Sequence, residues 1–184
     1  MKLTTLALMT LCLSVCSFSQ EQEDHQKTPA TKLEAFQART GIVLIRGYSN
    51  VGKIGGIGEV QVDAREFRDG SNPNSPRTTG VSITVKEAGR LERESTSYID
   101  SDEVDSLVKG IEYISHITKD ATKLDFFEAD YRTKGDLRVT VFNNGKGEVS
   151  VAISSGQVGR TTTYVKLADL DKLRALILLA KSKI

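Results

Sequence analysis

Thr96-Ser97-Tyr98-Ile99-Asp100, running into Val104-Asp105-Ser106-Leu107-Val108-Lys109-Gly110-Ile111, reads as a strand that ends on a capped helix. The same order returns at Thr162-Thr163-Tyr164-Val165, which leads through Asp171-Lys172-Leu173 to Ile177. Thr96, Tyr98, Asp105, Leu107 and Ile111 align without gaps onto Thr162, Tyr164, Asp171, Leu173 and Ile177. Upstream, Val81-Ser82-Ile83 matches Val149-Ser150-Val151 after a small gap. Residues 81–114 and 149–180 therefore each read strand, strand, helix. A recurring unit of this kind points to a duplicated scaffold, although binary patterning alone gives any two such units some likeness.

Strand signals extend the unit upstream in both halves. Val60, Val62 and Ala64 alternate with Gln61, Asp63 and Arg65, and Leu137, Val139 and Val141 alternate with Arg138 and Thr140. Alternation of this period marks half-buried strands with one polar face. The run Ile42-Val43-Leu44-Ile45 is short, apolar and rich in β-branched residues, so a buried strand is expected over residues 41–48. A Gly-rich loop is expected over 49–58, and Asn143-Asn144-Gly145-Lys146-Gly147 signals a hairpin with a type I′ turn. Asp100 and Glu103 are spaced as a capping box for the first helix, whose stripe is Val104, Leu107, Val108, Ile111 and Ile114. The last helix, over 167–184, is apolar nearly all round and is expected to be buried on two sides or covered by a partner. The expected fold is α+β, with an antiparallel sheet of about eight strands built from two ββββα halves (41–117 and 123–184) and helices packed on one face.

Residues 1–19 read as a signal peptide. Lys2 supplies the positive end, an uncharged apolar run follows, and Ser17-Phe18-Ser19 offers small residues for cleavage before Gln20. That run is shorter than the roughly 20 residues a membrane span needs. The expected product is a secreted or periplasmic protein with no transmembrane segment after cleavage. Leu13-Ser14-Val15-Cys16 also resembles a bacterial lipobox, which would leave Cys16 lipidated, but Val15 is a poor residue before such a cysteine. The only two cysteines, Cys12 and Cys16, lie in this segment, so the cleaved chain has no thiol chemistry. An exported chain without disulfides or Asn-x-Ser/Thr acceptors fits a bacterial envelope best. Residues 20–38 are expected to be a flexible polar leader with a short helical turn near 31–39, and 39–184 a single domain.

Charged residues make up 27% of the chain, yet the net charge is only +1 and no basic block appears. Nucleic acid is therefore not an expected partner. Gly47-Tyr48-Ser49-Asn50-Val51-Gly52-Lys53-Ile54 resembles the P-loop of nucleotide hydrolases. Ile54 stands where the Mg²⁺-binding hydroxyl belongs, and Gly55-Gly56-Ile57-Gly58 stands where the helix should start. A hairpin loop is the better reading, with Lys53, Gly55 and Gly56 as a weak anion nest.

The acids Asp100, Asp102, Glu103 and Asp105 lack the spacing of an EF-hand and read as helix-start residues rather than a calcium site. His25 lies in the leader and His116 on a polar helix face, so neither is expected to act as a general base. Glu128 and Asp130 are expected on opposite faces of a strand, unable to pair for hydrolysis. Arg132 and Lys134, with the outward bases Arg65, Lys86, Arg93, Arg138 and Arg160, outline a polar binding face. No catalytic constellation and no cofactor are expected. The expected role is a non-enzymatic module that binds an unknown protein or envelope component. The alternative is a small-ligand or lipid carrier with a pocket between sheet and C-terminal helix.

Overall fold

In a computed structural model, the described residues are 28–184 apart from 73, 90 and 91. The signal peptide, Cys12, Cys16 and His25 lie outside them. Four strands, β1 (Leu44–Gly56), β2 (Gly58–Asp69), β3 (Thr78–Glu87) and β4 (Arg93–Asp100), form one antiparallel meander. A second meander holds β5 (Glu128–Arg132), β6 (Leu137–Asn143), β7 (Val149–Ser155) and β8 (Thr161–Val165). Helices α1 (Lys32–Gln37), α2 (Val104–Ser115) and α3 (Asp169–Lys181) complete the order. The α+β class and the two ββββα halves are as expected. The single sheet of about eight strands is not: two four-stranded sheets replace it.

The reason lies in where the helices go. α2 follows the first sheet but packs on β5 and β6 of the second. α3 follows the second sheet but packs on β1, β2 and β3 of the first. The two helices also pack on each other, and one apolar core runs through both halves. Leu107, Ile111, Leu173 and Ile177, the matched helix residues, are all buried in it. Because α2 carries the chain across, β5 emerges beside the second sheet and cannot pair with β4.

Register fixes the correspondence between halves. The rung Gly52–Val62–Ile83–Ser97 corresponds to Tyr131–Val139–Ile153–Thr163. Val81-Ser82-Ile83 thus corresponds to Val151-Ala152-Ile153, rather than to Val149-Ser150-Val151. Thr96 and Thr162 each share a hydroxyl hydrogen bond across the ladder, with Thr84 (2.8 Å) and Ser154 (2.9 Å). On the inner face small hydroxyls line the seam between sheets, where Ser97 bonds Ser155 at 2.8 Å and Ser155 donates to Ser95 at 3.1 Å. Buried hydroxyls are tolerated when each finds a partner.

The helix contacts show a size exchange. A Cβ on Gly52 would lie 2.6 Å from Leu176 of α3, and one on Gly110 of α2 would lie 2.1 Å from the Tyr131 ring. Gly52 corresponds to Tyr131, and Gly110 to Leu176. One half places its bulk on the strand, the other on the helix. Burial, followed by the nearby Glu103 carboxylate, holds the Tyr131 phenol above its ordinary pKa.

α1 lies on the outer face of the first sheet, so the helices are not all on one face. Thr31 and Glu34 form a capping box, with the Glu34 N–H donating to Thr31 Oγ1 and the Thr31 N–H to Glu34 Oε2. Leu33 and Phe36 pack against Phe67, which meets Tyr98 edge-to-face. Asp100, expected to cap α2, accepts instead from the backbone N–H of Lys32 (2.8 Å) and Leu33 (3.1 Å). α2 begins at Glu103 with no side-chain cap. Residues 31–38 are therefore built into the domain rather than being a loose leader. The hairpin at Asn144 also differs from expectation: positive φ falls at Gly147, not Gly145, and the Asn144 side chain accepts from the N–H groups of Lys146 and Glu148. A turn followed by a left-handed glycine is the longer hairpin form, with no type I′ pair.

Gly110→Ala should lower the unfolding free energy by about 2 kcal/mol through overpacking against Tyr131. Combined with Tyr131→Leu, the loss should be smaller than the sum of the two single losses in urea titrations. Strict additivity would mean that the α2–β5 contact is absent.

Candidate functional site

The Gly-rich segment is strand, not loop. β1 runs 13 residues to Gly56 and turns at Ile57 into β2. Its tip docks on β8: the Ile57 N–H donates to the Tyr164 carbonyl (3.1 Å), and Thr163 Oγ1 donates to the Ile57 carbonyl (2.7 Å). A Cβ on Gly56 would lie 2.1 Å from that Tyr164 oxygen, so close backbone approach explains the glycine. Lys53 pairs with Glu59 across the hairpin at 2.9 Å. Residues 52–56 run as a strand paired with β2 rather than as a curled loop.

The corresponding turn of the second half repeats the arrangement. Gly135 sits against the edge of β4, where a Cβ would lie 2.0 Å from the Tyr98 carbonyl oxygen. Arg132 pairs with Asp136 at 2.6 Å. The Lys134 N–H donates to Glu103 Oε1 (2.9 Å), while its side chain is exposed. Gly56 therefore belongs to the contact on β8 and Gly135 to the contact on β4, while Gly55 faces open space, Lys53 is held by Glu59, Arg132 by Asp136 and the Lys134 amide by Glu103. The structure does not bring the two sets together.

The acidic cluster is dispersed among partners. Asp102 pairs with Lys32 at 2.7 Å, Asp105 with Lys181 at 2.6 Å, and Asp100 caps α1. The Lys32 ammonium, by hydrogen bond and charge, holds the Asp102 carboxyl below its ordinary pKa. Among the described residues no group of three His, Cys, Asp or Glu could hold a metal ion. Glu128 and Asp130 share the outer face of the second sheet, where they sit opposite Phe142 and Thr140. Residues two apart on a strand project the same way, which corrects the expectation of opposite faces. Asp130 is taken up by the Thr140 hydroxyl and Arg138.

Polar networks cover the outer faces, as the alternation implied. Asp63 accepts from Asn50 Nδ2 (2.9 Å), Gln61 Nε2 (3.1 Å) and an Arg65 terminal nitrogen (2.9 Å). Arg65 Nε donates to Ser82 Oγ (2.7 Å), and the guanidinium lies 5.2 Å over the Tyr48 ring. Lys86 pairs with Glu94 and Arg93 with Glu87 on the same sheet.

What sequence reasoning missed is the first half of β1. Residues 42–45 read as a buried strand, yet Val43 is 61% exposed, Ile45 38% and Tyr48 71%. Among the described residues, 44–50 pair only with β2, leaving their other edge open. The edges of β4 and β8 are met by the opposite half's turns, and β5 is only five residues long. Proteins ordinarily shorten, cover or charge such edges. A shallow groove lies between Gly47, Tyr48, Ser49, Ala64, Arg65, Glu66, Lys183 and Ile184. The available signal was the alternation of Arg46, Tyr48 and Asn50 beyond the apolar run.

No protein-family model matches the chain, and no match to a curated protein or a solved structure was found. No helix among the described residues is long and apolar enough to cross a membrane.

Lys53→Ala should change stability by less than about 0.5 kcal/mol, as expected for an exposed pair. Gly56→Ala should cost at least about 2 kcal/mol by forcing the hairpin off β8. Thermal melts of the two variants check this; a larger loss from Lys53→Ala would reverse the assignment.

Proposed function

We propose that this chain is an exported, non-enzymatic binding module of the bacterial envelope, engaging another protein or envelope component through the exposed half of β1. The observation that carries the reading is the open edge at residues 44–50, with Val43, Ile45 and Tyr48 in solvent, on a fold whose β4 and β8 edges are met by turns. An unpaired ladder edge offers backbone donors and acceptors at fixed spacing, a recurring means of recognising protein. The apolar leader and the confinement of both cysteines to it support export. Against the carrier alternative, the grooves near α3 meet its two ends, at Asp169 and at Lys183–Ile184, and its inner residues Leu170, Leu173 and Ile177 are fully buried.

A photo-cross-linking residue at position 48 should give a discrete adduct in intact cells, whereas one at the exposed position 113 on α2 should not. Identical adduct patterns from both positions would contradict the reading. In the same preparation the mature chain should begin at Gln20; an acylated Cys16 would replace free export by lipid anchoring.

A further inference from the structure

We infer that the outer face of the second sheet holds a site for a phosphoryl group, centred on Arg132 and Arg138. The site lies in the other half from the β1 edge and stands without the role proposed for that edge. Register sets its geometry. Val139, Val141, Val151 and Ile153 turn into the core, so Arg138, Thr140, Ala152 and Ser154 turn outward. Tyr131 pairs with Val139 on the inner side, which turns Arg132 outward as well. The outward rung that results is Arg132–Arg138–Ser154–Thr162.

This rung is poorly arranged for stability. Two guanidinium groups stand directly opposite on the ladder, with Cβ atoms about 5 Å apart, and like charges so placed weaken a sheet. Asp136 holds Arg132 at 2.6 Å. Arg138 has only Asp130, at 3.3 Å, a carboxylate already taken up by the Thr140 hydroxyl. Arg138 donates no hydrogen bond among the described residues, and its Nε is buried without a partner. A guanidinium carries five N–H donors. Holding one with 28% of its side chain in solvent and no protein acceptor is costly. Beside it Ser154 and Thr162 share one hydrogen bond at 2.9 Å, which engages one hydroxyl proton and leaves the other as a donor.

The donors specify the ligand. Two planar guanidinium forks and a hydroxyl, side by side on one rung, offer hydrogen bonds from three positions to a single anion. A carboxylate presents two oxygens, whereas a phosphoryl group presents three and binds guanidinium forks bidentately. Arg160, exposed and without an ion-pair partner among the described residues, enters β8 two residues before Thr162 and adds a third cation at this end. Bound phosphate would relieve the repulsion across the rung and give Arg138 the acceptor it lacks. The phosphoryl group can be carried by a free solute or by a lipid headgroup.

The test titrates the ¹⁵N-labelled full chain with inorganic phosphate, sodium acetate and sodium chloride at matched ionic strength. A separate arm uses vesicles of equal parts phosphatidylcholine and phosphatidylglycerol. Phosphate should shift the amides of Arg132, Arg138, Ser154 and Thr162 saturably, and acetate should bind at least about tenfold more weakly. Arg138→Gln should weaken phosphate binding at least about tenfold. Arg160→Gln, at an exposed position, should keep the melting temperature and weaken binding by about threefold. Lys146→Gln, in the turn at the opposite end of the sheet, should leave binding unchanged. Should Arg138→Gln fail to fold, the comparison of Arg160→Gln with Lys146→Gln decides. Saturation by phosphate alone assigns a solute, and binding to vesicles alone, weakened in the Arg160→Gln variant, assigns a headgroup. No binding in either arm, shifts that chloride reproduces, acetate as tight as phosphate, or an equal loss from Lys146→Gln would each overturn the inference.

Discussion

The exchange of helices between halves is the constraint on which the rest depends. Each sheet's inner face is covered mainly by the helix that follows the other sheet: α3 covers β1 to β3, and α2 covers β5 and β6. A four-stranded meander with one apolar face must bury that face against another element. Here each half is closed by a segment whose sequence belongs to the other. Burial of a Leu or Ile side chain contributes about 1.5–3 kcal/mol, and Leu170, Leu173, Ile177, Leu107 and Ile111 make that contribution across the boundary between halves. The turns reinforce the exchange, since Gly56 and Gly135 let each hairpin reach the opposite half's edge strand.

Two consequences follow for the surface. The exchange uses up the edges of β4 and β8, and with them the Gly-rich segment that looks like a nucleotide loop. It leaves β1 longer than the body it packs on, because α3 reaches that strand at Gly52. The first half of β1 thus extends past the shared core as an open ladder edge. Function on this fold is most economically placed where the halves differ, and this edge has no equivalent in the five-residue β5.

Much of the scaffold could be read before any coordinates. Period-two alternation located β2, β3 and β6, and the 3.6-residue stripe located α2. The matched Thr96 and Thr162 proved to hold equivalent hydroxyl bonds. Periodicity shows which face of an element is apolar but not which sheet that face meets, so the helix exchange was hidden. Asp100 and Glu103 satisfied a local capping pattern, yet a distant helix end claimed Asp100 and a turn amide claimed Glu103. The run at residues 42–45 looked buried because four apolar residues stand together; only tertiary position makes it an edge. Lys53, Gly55 and Gly56 stood out in sequence, but only Gly56 is constrained, by the close approach of two backbones.

Separating the halves tests the helix exchange most directly. Residues 28–122 and 123–184, prepared as two polypeptides, should each lack a cooperative thermal transition, because each carries the helix that the other needs. Mixed at equal concentration, they should give one cooperative transition and native-like amide dispersion. A cooperative transition from either fragment alone would show that each sheet closes on its own helix, and would contradict the account.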